Sequence, residues 1–347
     1  MNLKKIFFSV LVVICCIALL WMGIQQSATT KKVEQTDFAL DSLVTQTGYG
    51  TNCKEAFQQV SNLMRQTDER LSSYQLESEI TKINQSNGEW VPVSRETFDL
   101  LQRALQYCQQ SDGVFDITMG TLIDLWGITG ENPKVPTQQQ IDQAMETVGW
   151  ENVQLDREGC AVRLAKPGTK IELGGIVKGA VSDQAAEIYN IQNVKSAIFS
   201  ANSSIYVKGT QLDGKPYQLG IRDPRGTAND LIGSLEITDC FVGTSGDYER
   251  YFEQDGLRYH HILDPRTGSP SQTGLMGITV VADTGIEADF LSTWLFIMGK
   301  DYVEQHLQDY QVIAIDTQGK VLISDSLKNQ FQLSEEAASQ YQIEGTK

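Results

Sequence analysis

The chain has 347 residues, 41% of them hydrophobic and 21% charged, and a formal net charge of −16. That balance supports one large folded domain or two small ones and excludes global disorder. A chain this acidic repels nucleic-acid backbones and anionic headgroups, so no nucleic-acid partner is expected, and a phosphate ligand needs a local cation.

Residues 1–25 stand apart. Lys4 and Lys5 precede an uncharged run, IFFSVLVVICCIALLWMGI, that nearly spans a hydrocarbon core of roughly 30 Å. The lysines orient the N-terminus to the cytoplasm and the body outward. The segment suits an uncleaved anchor, a signal peptide or a lipoprotein signal using Cys15 or Cys16. Attachment to the extracytoplasmic face of the membrane is the expectation, with its chemistry left open. Residues 26–44 are polar and read as a tether or a first strand. Cys53, Cys108, Cys160 and Cys240 are far apart with no CxxC, so buried free thiols are the default expectation, with disulfides as the alternative, and a zinc site is not expected.

The body begins near residue 45. Cys53, Ala56, Phe57, Val60, Leu63 and Met64 fall at helical spacing, ending near Asp68. Leu71, Ser73 and Tyr74 open a loop, and Ser78 starts a short helix that stops by Asn84. Ser94 caps a helix carrying Phe98, Leu101, Leu105 and Cys108. The run GVFDITMG leads into Leu122, Leu125 and Trp126. Thr137 caps a helix closed by Gly149. Val153 and Leu155 alternate against Val162 and Leu164 as a hairpin. Ile171, Glu172 and Leu173 end a strand at Gly174-Gly175, and a helix follows over 176–189. Strand patterns lie at 197–201, 205–207, 217–222, 235–242, 258–263 and 276–281. A helix over 285–298, a short helix near 302–307 and a hairpin turn at 316–319 complete the body. Residues 329–347 read as a mobile polar tail. Helices and strands mix without strict alternation. The prediction is therefore an α+β fold, one interwoven domain over 45–328 with mixed and antiparallel sheets and flanking helices.

Four stretches carry candidate chemistry. Residues 243–270 gather Thr244, Ser245 and Gly246, the pair Asp247-Tyr248, two of three histidines (His260, His261) and an Asp-Pro turn. A Thr-Ser-Gly turn offers N–H groups and hydroxyls to an anion, and a His at a strand end reaches a cleft; a hairpin with a polar surface is the plain alternative. In ELGGIVKG, two glycines at a strand-to-helix junction allow close approach of a ligand to a helix N-terminus, with Lys178 as a point charge; a tight turn reads equally well. Asp289 and Thr293 share one face of an apolar helix beside Ser292. They suit either a hard cation such as Mg²⁺ or a hydrogen-bonded pair. Val114-Phe115-Asp116 could hold an aromatic ring against Phe115, with Tyr74 nearby in space, but Phe115 as a plain core residue is the preferred reading.

Taken together and in this order, DERLSSYQLESEITKIN, GVFDITMGTLIDLWG, ELGGIVKGAVSD, VGTSGDYERYF, RYHHILDPRTGSP and ADFLSTWLFIMG resemble the ApbE family of FAD:protein FMN transferases. The resemblance implies an extracytoplasmic, membrane-attached enzyme that binds FAD and Mg²⁺, releases AMP and joins FMN to a Thr or Ser of an acceptor flavoprotein. An FAD diphosphatase and a non-catalytic FAD-binding protein remain as alternatives on the same fold. By position, Asp289, Thr293 and the Gly175 carbonyl match metal ligands, and Ser292 stands where some members carry Asp. Tyr49, Tyr74, Val114, Phe115, Asp116, Glu172, Lys178 and Leu263 match FAD contacts, Tyr49 standing where several members carry Met. His261 matches the active-site histidine and is the candidate base, with Asp247 as its helper. Asn202-Ser203 departs from a Gly-Gly pair found in many members.

Overall fold

Nine strands form one sheet and lie side by side in chain order: β1 (Lys32–Ala39), β2 (Ser42–Tyr49), β3 (Ala197–Ala201), β4 (Ser204–Lys208), β5 (Cys240–Gly246), β6 (Leu275–Ala282), β7 (Gln311–Asp316), β8 (Lys320–Ile323) and β9 (Gln342–Glu344). Neighbours are antiparallel except β8 and β9, which run parallel. This computed structural model describes residues 30–344, so the segment read as an anchor lies outside the described residues.

Between β2 and β3 come α1 (Asn52–Leu71), α2 (Glu79–Asn84), α3 (Arg95–Gln110), α4 (Gly120–Trp126), α5 (Gln138–Met145) and α6 (Val177–Ile191). The expected N-caps hold: Ser78, Ser94 and Thr137 each accept the backbone N–H three residues on. After β6 come α7 (Gly285–Met298) and α8 (Lys300–Gln305). Phe57, Val60 and Met64 of α1 and Val181, Ala185 and Tyr189 of α6 pack on Val44, Phe199 and Tyr206 of the sheet. Each such buried side chain contributes about 1.5–3 kcal/mol before entropy is set against it.

Helix α7 is apolar nearly all round, as a helix buried on every side must be. It lies directly on the backbone of its neighbours. A Cβ at Gly179 in α6 would overlap the Gly285 carbonyl oxygen, and one at Gly243 in β5 would overlap that of Ala288. Those two glycines let α7 come down onto both elements. On the other face, a three-stranded sheet (Phe331–Leu333, Leu231–Ile237, Tyr217–Arg222) covers Val242, Ile313, Ile315 and Val321.

Four expectations are corrected. Residues 32–49, whose first part reads as a tether or a first strand, keep the strand reading and not the tether: they form the β1–β2 hairpin, with Ala39 opposite Ser42. Its two turn residues, Leu40 and Asp41, take φ 53° and 58°, the left-handed geometry a two-residue hairpin turn requires. Residues 329–344, read as part of a mobile tail, are ordered: Phe331 and Tyr341 are buried, and both Phe331–Leu333 and β9 pair with other strands. Their few apolar residues are spaced to reach the core. Residues 171–173 form no ladder. Asn84 instead holds Ile171 by both amide groups, and Glu172 N–H bonds Ile117 O at 2.8 Å. The 258–263 strand breaks into Leu257–His260 and Leu263–Asp264. All four described cysteines are free, with Cys53 and Cys108 buried and Cys160 and Cys240 half-buried.

Candidate active site

A cleft of about 840 Å³ opens between the end of β5, the start of α6 and the face of α7. Its inner wall is set by two helix N-termini that cap one another. Asp289 of α7 accepts the Gly179 N–H of α6 at 2.7 Å, and Asp183 of α6 accepts the N–H groups of Gly285 and Ile286, opening α7, at 2.6 and 3.1 Å. The unpaired amides and the positive dipole end of each helix favour a carboxylate there. The other oxygen of Asp289 accepts the Ser204 hydroxyl of β4 at 2.6 Å. Burial nevertheless pushes Asp289 up to about 6, against the nearby Lys178 and these two donors. Burial also lowers Lys178, whose Nζ donates to Ser203 Oγ at 2.6 Å.

Thr293 lies one turn beyond Asp289, its Oγ1 3.5 Å from Ser245 Oγ. Ser245 donates to Ser292 Oγ at 3.1 Å, and Ser292 donates back to the Asp289 carbonyl at 3.0 Å. Ser292 thus brings hydroxyl chemistry but no charge. Gly175 lines the same cleft, with the Phe115 ring 3.2 Å from where its Cβ would be, closer than ordinary van der Waals contact. Phe115 packs edge-on to Phe290 and is both core and cleft wall. Thr244, Ser245 and Gly246 are the end of β5 rather than a turn. Their backbone is engaged with its neighbours, so they present hydroxyls and not a nest of N–H groups.

This donor set fits a hard divalent cation. Among the described residues no three His, Cys, Asp or Glu side chains gather as a metal cluster. A buried carboxylate, hydroxyls and a carbonyl are oxygen donors of the kind Mg²⁺ takes when ligand phosphates complete its shell. A carboxylate that burial has raised this far also gains most from a positive charge.

His261 lines the cleft. Its Nδ1 is 3.3 Å from the Arg250 carbonyl oxygen. A carbonyl can only accept, so Nδ1 carries the hydrogen and Nε2 keeps its lone pair. Burial, then His260 and Arg250, lower its pKa to about 3, so the ring is neutral at neutral pH. His260 is structural: Nε2–H donates to Ser271 O at 2.7 Å and Nδ1 accepts Ile262 N–H at 3.3 Å.

Tyr74, Val114, Asp116, Glu172, Lys178 and Leu263 also line the cleft. Two of their carboxylates are already occupied. Asp116 accepts from Thr118 N, Thr118 Oγ1 and Trp150 N at 2.7, 2.6 and 3.0 Å, and Glu172 accepts from Gly174 N at 2.8 Å. Burial raises both. Tyr74 stands at the mouth and is 64% exposed.

Two expected site residues lie elsewhere. Tyr49 ends β2 opposite Lys32, at the far end of the hairpin, whereas the cleft takes Phe38 to Asp41 from the near end. Asp247 sits behind the wall, with both oxygens held by Arg225 at 2.8 and 2.7 Å, so it is not a helper facing the cleft. Sequence reading missed Ser204, Asp183 and the Leu40-Asp41 turn. Ser204 and Asp289 are 85 positions apart, and no local pattern links them.

The scaffold and cleft define an α+β protein whose buried helix pair and sheet end hold one ligand site of oxygen donors, a lysine and a neutral imidazole. The chain belongs to the ApbE family, whose model matches residues 27–315. It is 35% identical over 241 residues to the FAD:protein FMN transferase of Klebsiella pneumoniae (strain 342), covering 69% of this chain and 74% of that one. It is 32% identical over 259 residues to the protein of that name from Treponema pallidum (strain Nichols), covering 70% and 71%. The crystal structure of the ApbE protein of Thermotoga maritima superimposes with a TM-score of 0.77 at 33% identity, over 90% of this chain and all of the other.

Proposed function

We propose that this chain is an FAD:protein FMN transferase. It moves FMN from FAD to a Thr or Ser hydroxyl of an extracytoplasmic flavoprotein, with Mg²⁺ and with release of AMP. The observation that carries this reading is the convergence of Gly175, Lys178, His261, Asp289 and Thr293, scattered over the sequence, on one cleft. The cleft volume is near the upper end of ligand sites, which run to roughly 1,000 Å³. Family membership and the names of the relatives support the same reading.

Asp289, Thr293 and the Gly175 carbonyl would hold the cation, which supplies charge neutralisation to a diphosphate that the acidic body otherwise repels. Lys178 adds a second positive charge at the phosphates. The acceptor hydroxyl oxygen bonds to the phosphorus of the FMN half, and the bond from that phosphorus to the bridging oxygen breaks. AMP leaves with that oxygen. His261 Nε2, neutral and carrying its lone pair, takes the hydroxyl proton. Alignment of nucleophile and leaving group does most of the remaining work. Residues 1–25 attach the enzyme to the outer face of the membrane, a reading supported by Lys4, Lys5 and the uncharged run after them.

The test is mass spectrometry of an acceptor flavoprotein after incubation with the full-length chain, FAD and Mg²⁺. One FMN added to a Thr or Ser, with AMP in equal amount, is expected. Free FMN and AMP with an unmodified acceptor would replace transfer by FAD hydrolysis.

A further inference from the structure

Asp247 is buried, yet it does not touch the cleft. It follows Gly246, the last residue of β5, and Thr244 to Gly246 form cleft wall. Its carboxylate is bound bidentate by Arg225 and lies 3.7 Å from Arg258 Nη1. Arg258 belongs to the strand Leu257–His260, which ends immediately before His261. One carboxylate therefore joins the wall to the strand that delivers the imidazole. The Asp247 N–H bonds Met276 O at 3.0 Å, beside a bulge in β6. The neighbouring Tyr248 ring lies against Gly246 and Gly277, with the Arg222 guanidinium 5.1 Å above it.

The arrangement extends to the C-terminal segment around Tyr341. Asp223 Oδ1 accepts the N–H groups of Arg225 and Gly226 at 2.8 and 3.1 Å, and also the Tyr341 hydroxyl at 2.5 Å. Tyr341 is 4% exposed and lies beyond residue 315, where the family match ends. A part-buried ion pair of this kind gains little stability against a packed apolar alternative. It does fix direction, because a bidentate guanidinium holds a carboxylate in one plane.

We propose that Asp247 is a positioning residue for the transfer step. With Arg225 and Arg258 it ties the wall Thr244–Gly246 to the strand that leads directly into His261, and Tyr341 of the C-terminal segment braces the tie through Asp223. The inference rests on the transferase reading of the cleft. In-line transfer loses rate steeply when the base or the phosphate site shifts by an ångström, whereas ground-state binding is spread over many contacts.

Steady-state kinetics of the full-length chain with FAD, Mg²⁺ and acceptor test it. D247N lowers kcat about tenfold while KM for FAD stays within about twofold. D247E recovers part of the loss. Y341F, which keeps the ring and removes one hydroxyl, lowers kcat about threefold in the same pattern. Wild-type kcat in both D247N and Y341F overturns the proposal, as does a raised KM with kcat intact. If D247N does not fold, Y341F decides on the same criteria. A wild-type chain that attaches no flavin sinks the transferase reading instead. Amide exchange at 244–246 and 259–262 then judges the tie: faster exchange in Y341F supports it, and unchanged exchange overturns it.

Discussion

The inner and outer ends of the cleft are built by different rules. At the inner end several polar groups are held from two sides: Asp289 by Gly179 and Ser204, Ser245 by Ser292 and Thr293, and the helices α6 and α7 by each other's carboxylates. At the outer end, Phe38 and Tyr74 stand 76% and 64% exposed, on a hairpin and a loop. Phosphorus chemistry needs fixed charges, which only a buried and over-determined frame can supply. Recognition of a flat ring tolerates side chains that settle around the ligand. The difference predicts that substitutions at the inner end alter turnover, and those at the outer end alter affinity.

The largest effect is expected from D289N. It keeps the shape and removes the charge, and should reduce transfer by at least about a hundredfold. Circular dichroism and melting should show an intact fold. Near-normal turnover would break the contrast at its strongest point. H261Q should follow, with kcat down about a hundredfold and FAD affinity unchanged, because general-base catalysis contributes roughly 10²–10⁴-fold. A loss confined to FAD affinity would move His261 to the binding set. T293V should cost about tenfold and raise the Mg²⁺ concentration needed for half-maximal rate.

Much of the inner end was legible because it is written in short strings. Asp289 and Thr293 sit four apart on one helix face, ELGG marks a junction, and His261 precedes an Asp-Pro turn. What binds those strings together was not legible. The Ser204 hydroxyl and the Gly179 amide that aim Asp289 come from distant elements, and only the folded sheet and helix pair bring them near. The outer end failed in another way. Tyr49 was assigned to the cleft only by its match to a family position, whereas it lies at one end of the β1–β2 hairpin and the opposite end reaches the cleft. Strand alternation fixes which face a residue takes but not which end of the strand meets the site. The tail was misread because three apolar residues, Phe331, Ala337 and Tyr341, suffice to dock an otherwise polar stretch.

Acid should affect the inner end selectively. The Asp289 carboxyl, at about 6, becomes protonated as pH falls through that value and loses its charge. The Mg²⁺ requirement, read from initial rates, should therefore rise below about pH 6. The linked stability terms have opposite signs. Asp289, raised from 3.8, stabilises the metal-free fold increasingly as pH falls from about 6 toward 3.8. His261, lowered from 6.5 to about 3, withdraws stability as pH falls across that interval. The smallest effect belongs to the outer end. Y74A should weaken FAD binding by about 1 kcal/mol, roughly fivefold, with kcat preserved. Y49F should change neither.

Calorimetric titration of FAD into the full-length chain, with Mg²⁺ and then with a chelator, in wild type and D289N, bears most directly on a cation-bridged diphosphate. Wild type should bind FAD at least about tenfold more tightly with Mg²⁺ than without, and D289N should lose that difference. Equal FAD affinity under all four conditions would contradict it.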